Sequence, residues 1–108
     1  MSRLDQLFDL LKTQPSEPFL LFAIAKEYEK AGDNNDALNY YLQLKETTPQ
    51  YVGTYYHLGK LYERLQQPET AFLTYKKGME IAKQEGDMHA HSELAGAKMN
   101  IDDDDDDF

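Results

Sequence analysis

The sequence has no cysteine, no tryptophan and no long hydrophobic run. Without cysteine, the chain can form no disulfide, cannot use a thiol in catalysis and cannot bind zinc through thiolates. No apolar stretch approaches the roughly 20 residues that span a bilayer. The opening residues are interrupted by Arg3, Asp5 and Asp9, which is not the pattern of a signal peptide. These absences predict a cytoplasmic protein that has no contact with membranes.

Basic residues are also scarce, since 11 lysines and arginines stand against 20 acidic residues, a formal net charge of -9. Residues 102–107 supply six of those acids, so the other 14 acids and 11 bases leave -3 for the rest of the chain. Phosphate binding needs a basic stripe, and this balance therefore argues against a nucleic-acid partner. The aspartates repel one another, which predicts a folded domain over residues 1–101 and a disordered acidic tail over residues 102–108.

Sequence patterns for catalysis and metal binding are missing as well. The sequence has no phosphate-binding loop, no glycine-rich dinucleotide turn and no paired carboxylates. His57 has no neighbouring nucleophile or orienting carboxylate in the sequence, as a general base would require. His89 and His91 are two residues apart, so on a helix they point about 200° away from each other and cannot share an ion. We therefore expect no enzyme activity, no cofactor and no metal.

Two short segments of the chain are nearly the same. Residues 26–30 read KEYEK, and residues 60–64, which lie 34 positions further on, read KLYER. The same shift superimposes Tyr41 on Tyr75, so that aromatic and basic classes coincide together. A matched set of this kind indicates an internal repeat of one supersecondary unit.

Each copy of the repeat has the periodicity of a helix. Apolar residues recur at i, i+3, i+4 and i+7, which places them on one stripe. Four tyrosines at repeated positions, Tyr28, Tyr41, Tyr62 and Tyr75, are expected in the core. Gly32 and the polar residues that follow it predict a helix end and a new start. The predicted helices cover residues 2–14, 17–31, 34–47, 52–65, 69–84 and 88–99.

These positions resemble the tetratricopeptide repeat, whose 34-residue signature is W-x2-L-G-x2-Y, then A-x3-F, then P. Tryptophan is absent from both copies and Ala25 replaces the first glycine, but each position keeps its residue class. Lys83 stands where the second copy should have proline, which predicts that the fifth helix continues to about Gln84. The matching residues are Leu21, Ile24, Ala25, Tyr28, Ala37, Tyr41 and Pro49 in the first copy, and Tyr55, Leu58, Gly59, Tyr62, Ala71 and Tyr75 in the second.

The resemblance covers about residues 4–99 and implies a small all-α domain of bacterial type. Its fold would be a short right-handed helix-turn-helix solenoid with two repeats, a half-repeat helix before them and a capping helix after them. Stacking of neighbouring repeats makes the core of such a fold. In the capping helix we expect Leu94, Ala95 and Met99 to face inward.

In proteins that this chain resembles, the first helix of each repeat lines a concave groove that holds a peptide. The resemblance therefore implies a non-catalytic adaptor that binds a segment of another protein. The alternative is a self-associating structural module, a homodimer formed through terminal helices, whose groove has no ligand. The residues expected to face the groove are Phe19, Phe22, Lys26, Lys30, Tyr56, His57, Lys60 and Arg64.

The chemistry of this set narrows the expected partner. Some family members clamp a C-terminal carboxylate with lysine and asparagine, and Phe22, Lys26 and His57 stand at the corresponding positions here. The clamp is therefore not reproduced. A mixed apolar and cationic groove suits a peptide with an apolar anchor beside an acidic residue. Two alternatives stay open, because the lysines could be ordinary solvated surface and the phenylalanines could pack against the first helix. Glu29 and Glu63 are expected to be solvated.

Three roles stay open for the aspartate run. It could be a solvating tail, or it could fold over Lys26 and Lys60 and compete with ligands in a salt-dependent way. It could also be a short motif, ending in Phe108, that another protein recognises.

Overall fold

The computed structural model describes the backbone of residues 2–106 and the side chains of residues 2–101. Within that range the protein has six α-helices and no β-strand. The first five begin and end within one residue of the bounds expected from the sequence, whereas the sixth is longer. The chain divides into two compact units, Met1–Tyr51 and Val52–Phe108. The helices are α1 Arg3–Thr13, α2 Pro18–Lys30, α3 Asn34–Thr47, α4 Gly53–Arg64, α5 Pro68–Glu85 and α6 Met88–Asp106.

The first unit consists of α1, α2 and α3, and α2 packs against both of the others. A capping box starts α1, because the Ser2 hydroxyl accepts a hydrogen bond from the Asp5 amide at 3.0 Å and the Asp5 carboxylate accepts one from the Ser2 amide at 3.4 Å. Pro18 opens α2, where the missing amide hydrogen would have no helical acceptor. The core cluster between α1 and α2 consists of Leu7, Leu20, Ala23 and Ile24.

Three aromatic rings lie beside this core. The rings of Tyr28 and Tyr40 are stacked, with centroids 5.7 Å apart, and Phe8 approaches both edge-on at 6.5 and 6.0 Å. Tyr28 is half-buried, and so is its counterpart Tyr62, whereas the sequence placed both in the core. Their rings cover the edge of the core, where a tyrosine can keep its hydroxyl near water.

The same turn joins the two helices of each repeat. After α2, Gly32 has φ +83°, and the amide of Asp33 donates to the carbonyl of Tyr28 at 2.9 Å. After α4, the corresponding residue is Gln66, which has φ +64° although it is not a glycine. Left-handed backbone of this kind disfavours any residue with a Cβ. The second turn is therefore strained where the first is not.

The second unit consists of α4, α5 and α6, with α5 packed against both of the others. Tyr55 and Tyr75 are fully buried at its centre. Two glycines let the helices approach closely. A Cβ on Gly59 would lie 2.2 Å from Cε1 of Tyr75, and one on Gly78 would lie 2.5 Å from Cβ of Tyr55. The core of the unit consists of Tyr55, Ala71, Tyr75, Ile81, Ala82, Leu94, Ala97 and Ile101.

The fifth helix ends one residue beyond the predicted position, at Glu85. No proline stops it, and Ile81 and Ala82 in its last turns are buried. Gly86 then takes a left-handed conformation, φ +75°, as a C-terminal cap.

The sixth helix differs most from the prediction, since it continues past residue 99 to Asp106. Up to residue 101 its buried residues are Leu94, Ala97 and Ile101, whereas Met99 is 59% exposed and was wrongly expected to face inward. Ile101 continues the buried stripe by one turn, and each further helical residue adds one backbone hydrogen bond. Residues 102–106, which were assigned to a disordered tail, are therefore helical in backbone. Asp107 and Phe108 lie outside the described residues.

Candidate functional site

The repeated glutamates hold the two helices of each repeat together. The hydroxyl of Tyr41 on α3 donates a hydrogen bond to the carboxylate of Glu29 on α2. The hydroxyl of Tyr75 on α5 does the same to Glu63 on α4. Both glutamates are half-buried, so they are not the solvated surface that the sequence suggested. The shared spacing of twelve residues between glutamate and tyrosine was the sequence signal that could have revealed them.

These contacts also change the chemistry of Tyr75. Burial raises the pKa of its phenol, and the hydrogen bond to Glu63 raises that pKa further because it favours the protonated form. The tyrosine is therefore a hydrogen-bond donor throughout the neutral range. Its bond to Glu63 joins α5 to α4.

Lys60 is held on the surface of α4 by two neighbours. Its Nζ lies 5.5 Å from the centre of the Tyr56 ring and 3.8 Å from the carboxylate of Glu63. The side chain is still 38% exposed. A cation over an aromatic face adds about 0.5–1 kcal/mol at an exposed site. The structure thus brings together Lys60 and Tyr56, two of the residues expected in the groove.

On α2 the expected residues divide into two environments. Phe22 is half-buried, and its ring centroid lies 6.1 Å from that of Tyr41 and 5.7 Å from that of Tyr51. Phe19 is 58% exposed. Lys26 and Lys30 are exposed, as is Arg64 on α4.

A recess of about 280 Å³ lies between the start of α4 and the first half of α6, inside the second unit. Tyr56 and His57 form part of its wall, and their rings meet edge-on with centroids 5.7 Å apart. Two residues from α4 or just before it and three from α6 complete the wall. Leu94 was expected to face inward, but the sequence did not predict that residues of α6 would line a recess beside α4, because the packing of α6 on α4 is a long-range contact that periodicity does not predict. The five residues are Val52, Gly53, Ala90, Glu93 and Leu94.

The described residues carry no group of three or more histidine, cysteine or acidic side chains that could hold a metal ion. Over the same part of the chain, none of the helices combines the length and the apolar character that a membrane crossing requires.

Known sequences and structures that resemble this chain contain the same helical repeat. The sequence model of the tetratricopeptide repeat matches residues 52–85, which are α4, α5 and the turn between them. A solution NMR structure of a tetratricopeptide repeat domain protein from Salinibacter ruber is 47% identical, covering 81% of this chain and 88% of that one, with a TM-score of 0.78. The chain belongs to the tetratricopeptide repeat family. A crystal structure of such a domain protein from the same organism is 46% identical, with coverages of 80% and 96% and a TM-score of 0.77.

A more distant structure agrees on the fold alone. A protein from Bordetella parapertussis is 20% identical and covers 97% of this chain and 91% of its own, with a TM-score of 0.83. No curated protein matches the sequence. The predicted family and the all-α helical-repeat fold are confirmed. Tetratricopeptide repeat proteins are generally non-catalytic and generally mediate protein–protein interactions.

Proposed function

We propose that this tetratricopeptide repeat domain is a non-catalytic adaptor that binds a peptide segment of another protein on the first helices of its repeats. The proposal takes α2 and α4 as the binding helices, each within its own unit. It rests most directly on the recess beside α4. The binding residues would be Phe19, Phe22, Lys26, Lys30, Tyr56, His57, Lys60 and Arg64.

The recess supports the proposal because it is small and its wall is largely apolar. Small-molecule sites are typically about 300–1,000 Å³, so a volume of about 280 Å³ lies at or below their lower limit. Its wall includes the apolar side chains of Val52, Ala90 and Leu94 and the ring of Tyr56. It has room for a large apolar side chain of a peptide. Beside the recess, Lys60 offers a charge that could set the register of the bound segment.

On α2, exposed aromatic surface supports the same function. Phe19 exposes 58% of its surface in the first turn of the helix. Lys26 and Lys30 follow it on exposed positions of the same helix. An apolar anchor site beside cations is the combination that the sequence suggested.

The test is selection of peptides from a random display library by the whole chain, followed by titration of the selected peptides against variants. Ala90→Leu would fill the recess, and we expect it to weaken binding about tenfold, which is about 1.4 kcal/mol. Gly96→Ala lies on the same helix at an exposed position where an added Cβ meets no atom within 4 Å, and should leave binding unchanged. Failure to select any saturable binder would reject the proposal, and equal loss in both variants would move the site away from the recess.

The second candidate function is self-association through the terminal helix. Met88 and Met99 on α6 are 57% and 59% exposed. They are separated by three helical turns, so they lie on the same side of the helix. The average mass in sedimentation equilibrium would then rise with concentration, and Met99→Lys would abolish the rise. A monomer mass at every concentration would exclude this candidate.

A further inference from the structure

The recess between α4 and α6 contains an acidic group at its edge. Its wall is otherwise apolar or aromatic, apart from the imidazole of His57 and the backbone of Gly53, and Glu93 is the carboxylate that lines it. The Glu93 side chain is 54% exposed. A carboxylate in this position can interact both with solvent and with whatever enters the recess.

We propose that the recess binds a large apolar side chain of a partner peptide whose next residue is basic, with Glu93 as the acceptor for that base. This inference rests on the proposed peptide-binding function and specifies the peptide. The cations of α2 and α4 alone had suggested a peptide with an acidic residue. The carboxylate of Glu93 adds the requirement that the residue after the apolar anchor is basic.

The groups around Glu93 indicate on which side of the recess the basic residue of the peptide would lie. The Glu93 carboxylate lies 3.5 Å from Nε2 of His89, one turn earlier on α6. His89 is 88% exposed, so this contact is a surface pair that a stronger cation could replace. On α4, Lys60 lies over the Tyr56 ring and is paired with Glu63. A basic residue of the peptide is therefore favoured on the α6 side of the recess, where Glu93 lies.

Arginine suits this acceptor better than lysine. Its planar guanidinium can donate two parallel hydrogen bonds to one carboxylate, and its apolar stem can lie along the wall of the recess. The net charge of -9 attracts basic peptides from a distance as well. That general attraction does not depend on Glu93, so the experiment has to separate the two effects.

The test uses the isotope-labelled full chain and three short peptides, observed by NMR at one ionic strength. The peptides are Gly-Leu-Arg-Gly, Gly-Leu-Glu-Gly and Gly-Ala-Arg-Gly, with blocked ends. We expect the Leu-Arg peptide to shift the amide signals of Tyr56, His57, Ala90 and Glu93 in a saturable way. The Leu-Glu peptide should bind about tenfold more weakly, and the Ala-Arg peptide should give no saturable shift there.

Two matched variants distinguish the carboxylate from net charge. Glu93→Gln should lower the affinity for the Leu-Arg peptide about threefold. The affinities for the Leu-Arg and Leu-Glu peptides should then lie closer together. Glu85→Gln removes the same charge at the exposed last residue of α5, which does not line the recess. It should leave the affinity for both peptides unchanged. If both variants weaken the Leu-Arg peptide equally, net charge is responsible and the role of Glu93 is overturned.

The outcomes also separate this inference from the proposed function. If Leu-Arg and Leu-Glu peptides saturate the recess with equal affinity, the chain is a peptide binder and the basic requirement is wrong. If the Ala-Arg peptide binds as well as the Leu-Arg peptide, the apolar anchor is wrong. If no peptide shifts the recess signals, the peptide preference is rejected. The proposed function is then also rejected if the library selection yields no binder.

Discussion

Gly59 lies so close to the ring of Tyr75 that the position has no room for a side chain. A Cβ there would lie 2.2 Å from one ring atom of Tyr75 and 2.6 Å from two others. That ring cannot move aside easily, because it is fully buried and its hydroxyl is bonded to Glu63. The first repeat has Ala25 at the corresponding position, fully buried. The repeat signature therefore does not say which of the two positions tolerates a methyl group.

We predict that Gly59→Ala lowers the free energy of unfolding by about 3 kcal/mol, since it overpacks the core of the second unit. The same substitution at Gly96 should raise it by about 0.5–1 kcal/mol, because alanine is the better helix former and an added Cβ there meets no atom within 4 Å. Urea denaturation of the two variants and the parent chain measures both effects. Equal effects of the two substitutions would contradict the close contact with Tyr75.

Between elements, the decisive contact is the one that repeats. Tyr41 bonds to Glu29 and Tyr75 bonds to Glu63, so each helix pair has the same connection. A hydrogen bond to a charged acceptor contributes about 1.5–3 kcal/mol, which is more than a neutral bond gives. The glutamate thus contributes to the packing of each repeat.

Tyr75→Phe removes that bond and should lower the free energy of unfolding by about 2 kcal/mol. In a double-mutant cycle with Glu63→Gln, the combined loss should be smaller than the sum of the single losses, because both changes remove the same interaction. Tyr40→Phe, at a half-buried tyrosine on α3, is the control and should change stability by less than about 0.5 kcal/mol. Strictly additive losses in the cycle would show that the two side chains are not coupled.

Substitutions in the turns between the paired helices should change the free energy of unfolding in opposite directions. Gln66 has φ +64°, and we expect Gln66→Gly to raise the free energy of unfolding by about 1 kcal/mol by relieving backbone strain. Gly32 has φ +83° with nothing within 4 Å of an added Cβ, so Gly32→Ala should lower it by about 1 kcal/mol through conformation alone. Thermal and urea unfolding of the two variants test the signs. A loss of stability in Gln66→Gly would mean that its side chain contributes more than the strain removes.

Across the whole molecule, tyrosine ionisation links stability to alkaline pH. Burial alone raises the pKa of Tyr55 and Tyr62, and burial together with nearby acidic or phenolic groups raises the pKa of Tyr28, Tyr51 and Tyr75. In the unfolded chain a tyrosine has a pKa of about 10. The unfolded chain therefore loses phenolic protons at a lower pH than the folded chain does.

We predict that the tyrosine contribution to stability is constant up to about pH 10 and falls as the pH rises further, because the unfolded state then binds fewer protons than the folded state. Urea midpoints measured across the alkaline range, with phenol ionisation followed by absorbance, would show this fall. Tyr75→Phe should have a shallower alkaline decline than the parent chain. A free energy of unfolding that stays level while the phenols of the unfolded chain ionise would contradict the prediction.

The recess and the last helix depend on contacts that the sequence pattern does not contain. The apolar stripe of α4 predicted that Tyr55 and Leu58 are buried, and both are. Nothing in that stripe predicted that Glu93 would stand beside His57, because they are distant in sequence and meet only through the packing of α6. The sequence expected Met99 to be buried, but the helix turns Ala97 and Ile101 inward instead. On a helix with few large apolar residues, small differences in rotation decide which side is buried.

The sequence by itself determined the repeat, the family and the positions of the first five helices. Helix periodicity and turn residues act locally, and the 34-residue signature records them directly. Only the tertiary structure decided that Glu29 and Glu63 join helices, that Gly59 must lack a side chain, and that Glu93 lines a recess. Each of these depends on the distance between groups on different helices, which local pattern does not contain. The binding chemistry that we propose belongs to this second class.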